Sequence, residues 1–187
     1  MAASRNDINR DQTIAAIEQA FLAEYREKGI DQISITNLCK AGSFSRSTFY
    51  FYFEDKYAVL QSVEDRLLAD LWEHNEFLPD RAEDGRATAS AQYVLDFLSE
   101  HQEWFRALLG PHGDPGFVYR WKSDIIRSLR TKQRSRNIAP EKAELLCSIF
   151  ASGMIGFFTT ILFQEKPASA EFAGRCMNRL LEYCLME

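Results

Sequence analysis

Histidine and cysteine are scarce and scattered in this chain, and that removes several kinds of chemistry. The histidines, His74, His101 and His112, stand far apart, and the cysteines, Cys39, Cys147, Cys176 and Cys184, form no Cys-x-x-Cys pair. No closely spaced ligand set for a metal is present, so neither metal nor cofactor is expected. His-Glu-x-x-His, Gly-x-Ser-x-Gly and P-loop patterns are missing too, and nothing in the sequence suggests an enzyme. The Gly/Pro-rich run from Gly110 to Gly116 is not preceded by a strand pattern or followed by Lys-Ser/Thr, which argues against a phosphate cradle. Excess positive charge is missing as well: 22 Lys and Arg face 27 Asp and Glu, for a net charge of −5. The whole surface is not that of a basic nucleic-acid binder, although a local patch of donors can grip DNA while the remainder stays acidic. The opening residues, MAASRNDINRD, lack an apolar h-region. The expectation is a cytoplasmic protein whose cysteines, in apolar helix-like contexts, are reduced and buried.

What is abundant is helical periodicity. With 46% hydrophobic residues in 187, the chain can form one or two small domains with a real core. After a polar start, Met1 to Asn9, the residues Ile14, Ile17, Phe21 and Tyr25 recur at steps of three and four, the spacing of one helix face. Gly29 is placed to end that helix, and Ile30 and Ile33 to pack the link that follows. The stretch Ser34 to Lys56, SITNLCKAGSFSRSTFYFYFEDK, then reads as two short helices and a tight turn. Ser34 can cap the first, in which Ile35 and Leu38 share a face. Gly42 and Ser43 break it, and Ser45 can cap the second, which carries Phe49 inward. The outward residues Arg46, Ser47, Thr48, Tyr50 and Tyr52 all donate hydrogen bonds and none is acidic. Such a surface suits phosphate oxygens and base edges. Helix, short turn and donor-rich second helix make a helix-turn-helix signature.

These residues resemble the DNA-binding motif of the tetracycline-repressor (TetR) family. The match is Ser45-Arg46-Ser47-Thr48-Phe49-Tyr50-Phe51-Tyr52-Phe53 followed by Lys56, against a family pattern Ser/Thr-Arg-Gly/Ser-Thr-Leu/Phe-Tyr-X-His/Tyr-Phe. The family usually has Ala-Gly-Val before that Ser. Equal-length alignment puts Gly42, Ser43 and Phe44 there, with Ser43 at the turn glycine and Gly42 absorbing part of the strain; the alternative inserts one residue after Ala41-Gly42. The resemblance implies an all-α fold of about nine helices: a three-helix headpiece in residues 1–54 and a helical regulatory and dimerisation body in 55–187. It also implies a homodimer that binds a palindromic operator in double-stranded DNA, as a repressor released by a small-molecule effector. The DNA-binding set is then Ser34, Ser45, Arg46, Ser47, Thr48, Tyr50, Tyr52 and Lys56, with Arg46 on a guanine and Thr48, Tyr50 and Lys56, with the Ser34 cap, on the phosphate backbone.

Beyond the motif, Glu54-Asp55-Lys56 opens a long helix with the apolar stripe Val59, Leu60, Val63, Leu67, Leu71 and Trp72, ending near Pro79. After a polar loop from Asp80 to Arg86, helices follow over about Ala87–Glu100 and around Trp104 to Leu109, then the Gly/Pro break. Asp114 and Pro115 suit the first positions of the next helix, which runs to about Arg136 and is basic: a solvated face, with an anion site or a secondary nucleic-acid contact as the rival readings. The Leu108-to-Pro115 context, with Ser152-Gly153-Met154-Ile155-Gly156, resembles a TetR subgroup that includes regulators near dihydroxyacetone-kinase genes. Trp72, Phe77, Phe97, Trp104, Phe105, Tyr119, Trp121 and Phe158 are aromatics able to line an apolar pocket or simply fill a core. Trp72, Phe97, Trp104, Phe105, Tyr119 and Phe158 are the pocket set. Leu145 to Phe163 holds no charge. It is read as a helix buried on nearly all sides, which with the last helix, about Ala168 to Cys184, forms the dimer interface through Ser152, Gly153, Gly156, Phe172, Cys176 and Leu180. The rival reading makes Leu145–Phe163 the span of a membrane-anchored or helical scaffold protein; the soluble character of the rest favours no membrane.

Overall fold

The protein is described by a computed structural model that covers residues 5–73, 84–133, 140–164 and 168–185. Those residues form nine α-helices, a 3-10 turn and no strand: α1 Arg5–Lys28, the 3-10 turn Ile30–Gln32, α2 Ile35–Ala41, α3 Arg46–Tyr52, α4 Lys56–Glu73, α5 Asp84–Glu100, α6 Gln102–Leu109, α7 Pro115–Gln133, α8 Pro140–Phe163 and α9 Ala170–Leu185. The all-α expectation holds. Several starts lie earlier in the chain than the apolar stripes suggested, because polar first turns carry no stripe: α1 begins at Arg5 rather than after Asn9, α5 at Asp84 rather than Ala87, and α8 at Pro140 rather than Leu145. His74, Phe77, Pro79, Arg134 and Arg136 lie outside the described residues.

The chain divides into two compact units, residues 1–67 with 107–113, and residues 68–106 with 114–187. The expected boundary after residue 54 falls inside the first unit. That unit is built on the apolar face of α1: Ile17, Phe21 and Tyr25 are buried with Leu38 and Cys39 of α2, Phe49 of α3 and Val59 and Val63 of α4. Gly29 ends α1, its N–H donating to the Tyr25 carbonyl at 3.0 Å, with φ 72° and ψ 170°. Only glycine adopts that conformation without strain. A Cβ there would also lie 3.3 Å from the Cβ of His112 in the 107–113 segment. A forked ion pair joins α1 to α4: Arg66 donates to both carboxylate oxygens of Glu18, at 2.9 and 2.7 Å. Fork-to-fork geometry is among the stronger polar contacts a protein makes.

The second unit packs α5 on α9, and α8 on α7 and α9. Phe105 sits at its aromatic centre, with Phe97, Phe117 and Trp121 at ring-centroid distances of 6.0, 6.0 and 5.7 Å. Asp114 caps α7, accepting from the Gly116 N–H at 2.8 Å, and Pro115 takes the first helical position as the sequence suggested. Tyr93 donates to the Asp70 carbonyl at 3.0 Å. Its phenol is held above the usual tyrosine range, first by burial and then by the nearby carboxylates of Asp70, Glu73 and Glu100.

The long apolar helix α8 is not buried on nearly all sides. Its inner face, Cys147, Phe150, Ala151, Met154, Ile155 and Phe158, is covered, but Leu145, Ile149, Ser152, Gly156, Thr160 and Phe163 are exposed. Their steps of four, three, four, four and three trace one unbroken stripe along the helix. Residues Glu141–Phe163 are long and apolar enough to cross a membrane, yet the covered half packs as a core helix does.

Candidate nucleic-acid interface

The site begins with how α2 stops. The Gly42 N–H donates to Leu38 O at 2.9 Å, and the Phe44 N–H reaches back to Cys39 O at 3.1 Å. The residue between them, Ser43, has φ 56°, the one non-glycine positive φ among the described residues. This is the helix-ending loop in which a left-handed residue turns the chain, and glycine usually fills it. Ser43 therefore takes the turn-glycine role, as the equal-length alignment expected. Gly42 does not share the strain: its φ is −91°. Glycine is needed there for space, since a Cβ would lie 2.1 Å from Cε1 of Phe44. The Phe44 ring lies over the Gly42 backbone and stacks on Phe49 at 6.5 Å, closing the turn against α3.

Ser45 then starts α3. Its Oγ accepts from the Thr48 N–H at 2.9 Å and lies 2.7 Å from the hydroxyls of both Ser47 and Thr48. Ser34 occupies the equivalent place before α2 with extended backbone, but its side chain makes no capping bond, so only half of the expected cap is realised. Phe49 points inward with no exposure, and Phe53 closes the end of α3 beneath it, ring to ring at 6.1 Å.

The opposite side of α3 is open. Arg46, Ser47 and Tyr50 are exposed, while Thr48 and Tyr52 are half-buried. Arg46 lies with its guanidinium 6.0 Å from the centre of the Tyr50 ring, and Tyr50 leans edge-on against Phe49 at 5.5 Å. The Arg fork thus lies near an exposed aromatic ring whose edge rests on the buried Phe49. Lys56 is placed differently from the backbone clamp expected of it. Its ammonium donates to the carbonyls of Asp31 and Ile33, at 2.9 and 3.1 Å, and lies 5.5 Å from the Tyr57 ring. Two of the three ammonium protons are engaged in holding the first turn of α4 on the link between α1 and α2. The first turn of α4 is capped by Asp55, which accepts from the Ala58 N–H at 2.8 Å. The residue the sequence reading passed over is Phe51, 79% exposed and touching Tyr52 edge-on at 5.0 Å. Its side chain donates no hydrogen bond, but its distance of two positions from Phe49 puts it on the outer side of α3.

The expected pocket and interface residues are sorted by the second unit. Phe97, Trp104, Phe105 and Phe158 are buried and Trp72 is half-buried, but Tyr119 is 72% exposed and lines no interior. Tyr119 falls on the solvent side of α7 because the inward positions are Phe117, Trp121 and Ile125. A cleft of about 590 Å³ opens elsewhere, lined both by polar side chains such as Gln92, Asp96 and Arg106 and by apolar ones such as Leu95, Ile161 and Leu162, and none of the six aromatics lines it. Gly153 and Gly156, expected on one contact face, separate. A Cβ on Gly153 would rest 3.6 Å from Leu180 of α9 in the same chain, whereas among the described residues nothing lies within 4 Å of one on Gly156. Ser152 and Phe172 are exposed as Gly156 is, and Cys176 is half-buried. The basic face of α7 is partly neutralised, Arg127 by Asp124 at 2.9 Å and Arg130 by Glu144 at 3.0 Å. No group of residues able to hold a metal occurs among the described residues.

No protein-family model matches the chain. Solved structures do. A TetR transcriptional regulator from Streptococcus agalactiae superposes with a TM-score of 0.66 at 22% identity, over 97% of this chain and 96% of that one. The dihydroxyacetone kinase operon activator DhaS does so at 0.61 and 18%, over 93% and 96%. The fold is therefore that of the TetR regulators. Among curated proteins, the uncharacterised HTH-type transcriptional regulator YxbF of Bacillus subtilis is 23% identical over 120 residues, 60% of this chain and 30% of that protein. A second from the same organism, YvdT, is 36% identical over 52 residues, 28% of this chain and 27% of that protein. The matched stretches span less than a third of either curated relative.

Proposed function

We propose that this protein is a transcriptional regulator, a cytoplasmic repressor that binds a palindromic operator as a homodimer and is released by a small-molecule effector. The observation that carries the reading is the outer surface of α3: a capped seven-residue helix, braced from below by Phe49 and Phe53, that presents Arg46, Ser47 and Tyr50 with no carboxylate among them. Duplex DNA offers mainly acceptors in its major groove and along its backbone, and this surface offers mainly donors. Thr48, Tyr52, Ser45 and Ser34 flank it, and Lys56 contributes by fixing the start of α4. One headpiece has few donors, and two held by a symmetric interface read two half-sites. The open stripe of α8, with Phe172 and Cys176 of α9, is the surface assigned to that interface. The effector is assigned to the second unit, where a cleft of mixed polar and apolar lining offers open volume. DhaS, one of the structural neighbours, is named an activator, so the sign of regulation needs its own assay.

The test is selection of bound sequences from a random duplex pool with the full chain, followed by sedimentation of the complex. An enriched inverted repeat bound by two chains supports the reading, and a reporter placed behind that repeat separates repression from activation. Failure to enrich any sequence overturns it.

A further inference from the structure

Phe51 has no part in the donor chemistry of α3, yet it holds the most prominent place on that helix. Successive residues of a helix are about 100° apart, so the side chains two positions either side of the buried Phe49 point away from the core. Those are Ser47 and Phe51, one helical turn apart on a single ridge. Arg46 and Tyr50 lie to one side of the ridge and Thr48 to the other. Phe51 is 79% exposed, the highest value among the exposed large hydrophobic residues of the described chain. Among the described residues its one ring contact is the edge of Tyr52. A lone exposed apolar residue needs no explanation in general. A phenyl ring on the outer ridge of a surface whose other side chains all end in a hydroxyl or a guanidinium is a different matter, because it would displace water from whatever that surface meets and offer no hydrogen bond in return.

We propose that Phe51 reads thymine, by packing its ring on the C5-methyl group in the major groove. The proposal rests on the DNA-binding reading above and adds to it the base that the apolar ring on the ridge selects. A phenyl ring cannot satisfy a phosphate oxygen. The thymine methyl is the apolar group that base edges present in the major groove, and Phe is among the side chains chemically suited to it. Phe51 thus supplies selection for thymine within each half-site.

The experiment replaces thymine by uracil, which removes the methyl and leaves every hydrogen-bonding group in place. The wild-type chain is first used to enrich a site from a random duplex pool. Each thymine of that site is then replaced singly by uracil in both half-sites, and binding is measured for wild type, Phe51→Ala and Phe51→Leu. At one thymine per half-site, the wild type should bind the uracil duplex about fourfold less tightly per half-site, the value of one buried methyl. Phe51→Ala should bind thymine and uracil equally at that position, and Phe51→Leu should keep part of the difference. The substitutions fall on an exposed side chain, and circular dichroism with a thermal melt checks that the fold is kept. If Phe51→Ala retains the full thymine preference at every position, or if the enriched site holds no thymine, the proposal is overturned. Equal weakening on selected and random DNA makes the ring a backbone contact and also overturns it. Full operator affinity with altered self-association would assign the ring to a protein partner, again against the proposal. Failure to enrich any site removes the DNA-binding reading and this one with it, whereas an enriched site insensitive to Phe51 removes this one alone.

Discussion

At the residue scale the turn between α2 and α3 holds two constraints that adjacent small residues conceal. Ser43 needs a left-handed backbone and Gly42 needs space, and the two substitutions that test this should act in opposite directions. Ser43→Gly relieves the left-handed strain, partly offset by the greater freedom of glycine in the unfolded chain. We expect stabilisation of about 0.5–1 kcal/mol in urea unfolding. Gly42→Ala puts a methyl into the Phe44 ring and should cost about 1–3 kcal/mol. A neutral Gly42→Ala would mean that Phe44 swings away freely. Arg46→Ala should weaken operator binding by about 1–3 kcal/mol and relax preference at one base pair. An equal loss on unrelated duplexes would place Arg46 on the backbone. The Ser43 role and the Ser45 cap were legible in the sequence because both are local: hydrogen bonds over three to five residues decide them. Phe51 was also within reach, since helix geometry alone places it opposite Phe49. It was missed because the chemistry sought was polar.

Between elements, the first unit is held by contacts that no window of sequence displays. Glu18 and Arg66 belong to different helices, and neither stands in a motif. The Glu18 side chain is only 8% exposed, against 46% for Arg66. Removing the guanidinium leaves a carboxylate in a largely dry place. Arg66→Ala should therefore cost about 1.5–3 kcal/mol, the range for hydrogen bonds to a charged group. Glu18→Gln in the same background should recover part of the loss, by removing the stranded charge; no recovery would show that the cost lies in packing along the Arg66 stem. Lys56 teaches the same lesson. Its position in the motif was legible, but its two carbonyl partners were not, because they depend on how the 3-10 turn brings Asp31 and Ile33 beside α4. Helix existence was legible from apolar periodicity throughout, and helix starts were least so where first turns are polar.

For the molecule as a whole, the two glycines of α8 separate stability from assembly. Gly153 faces Leu180 of its own chain, and Gly156 faces none of the described residues within 4 Å. Gly156→Arg should leave the melting temperature of the monomer within a few degrees of the parent, sediment as a monomer and lose operator binding. Gly153→Arg should lower stability outright. A Gly156→Arg protein that sediments as a dimer and still binds would move the interface off this stripe. The sequence placed both glycines on one face because they are three apart; the packing of α9 splits that face, and only the fold shows where the split falls. A last consequence concerns the order in which the chain is made. The first unit is not a continuous stretch: residues 107–113 belong to it, and His112 lies against the backbone of Gly29. A ribosome delivers α1 to α4 long before that segment emerges, so the headpiece must wait, with the end of α1 uncovered, while two further helices are synthesised. A nascent chain arrested before residue 107 should be more open to protease around Gly29 than one arrested after residue 113, and any fusion that borrows the headpiece must bring this short segment with it.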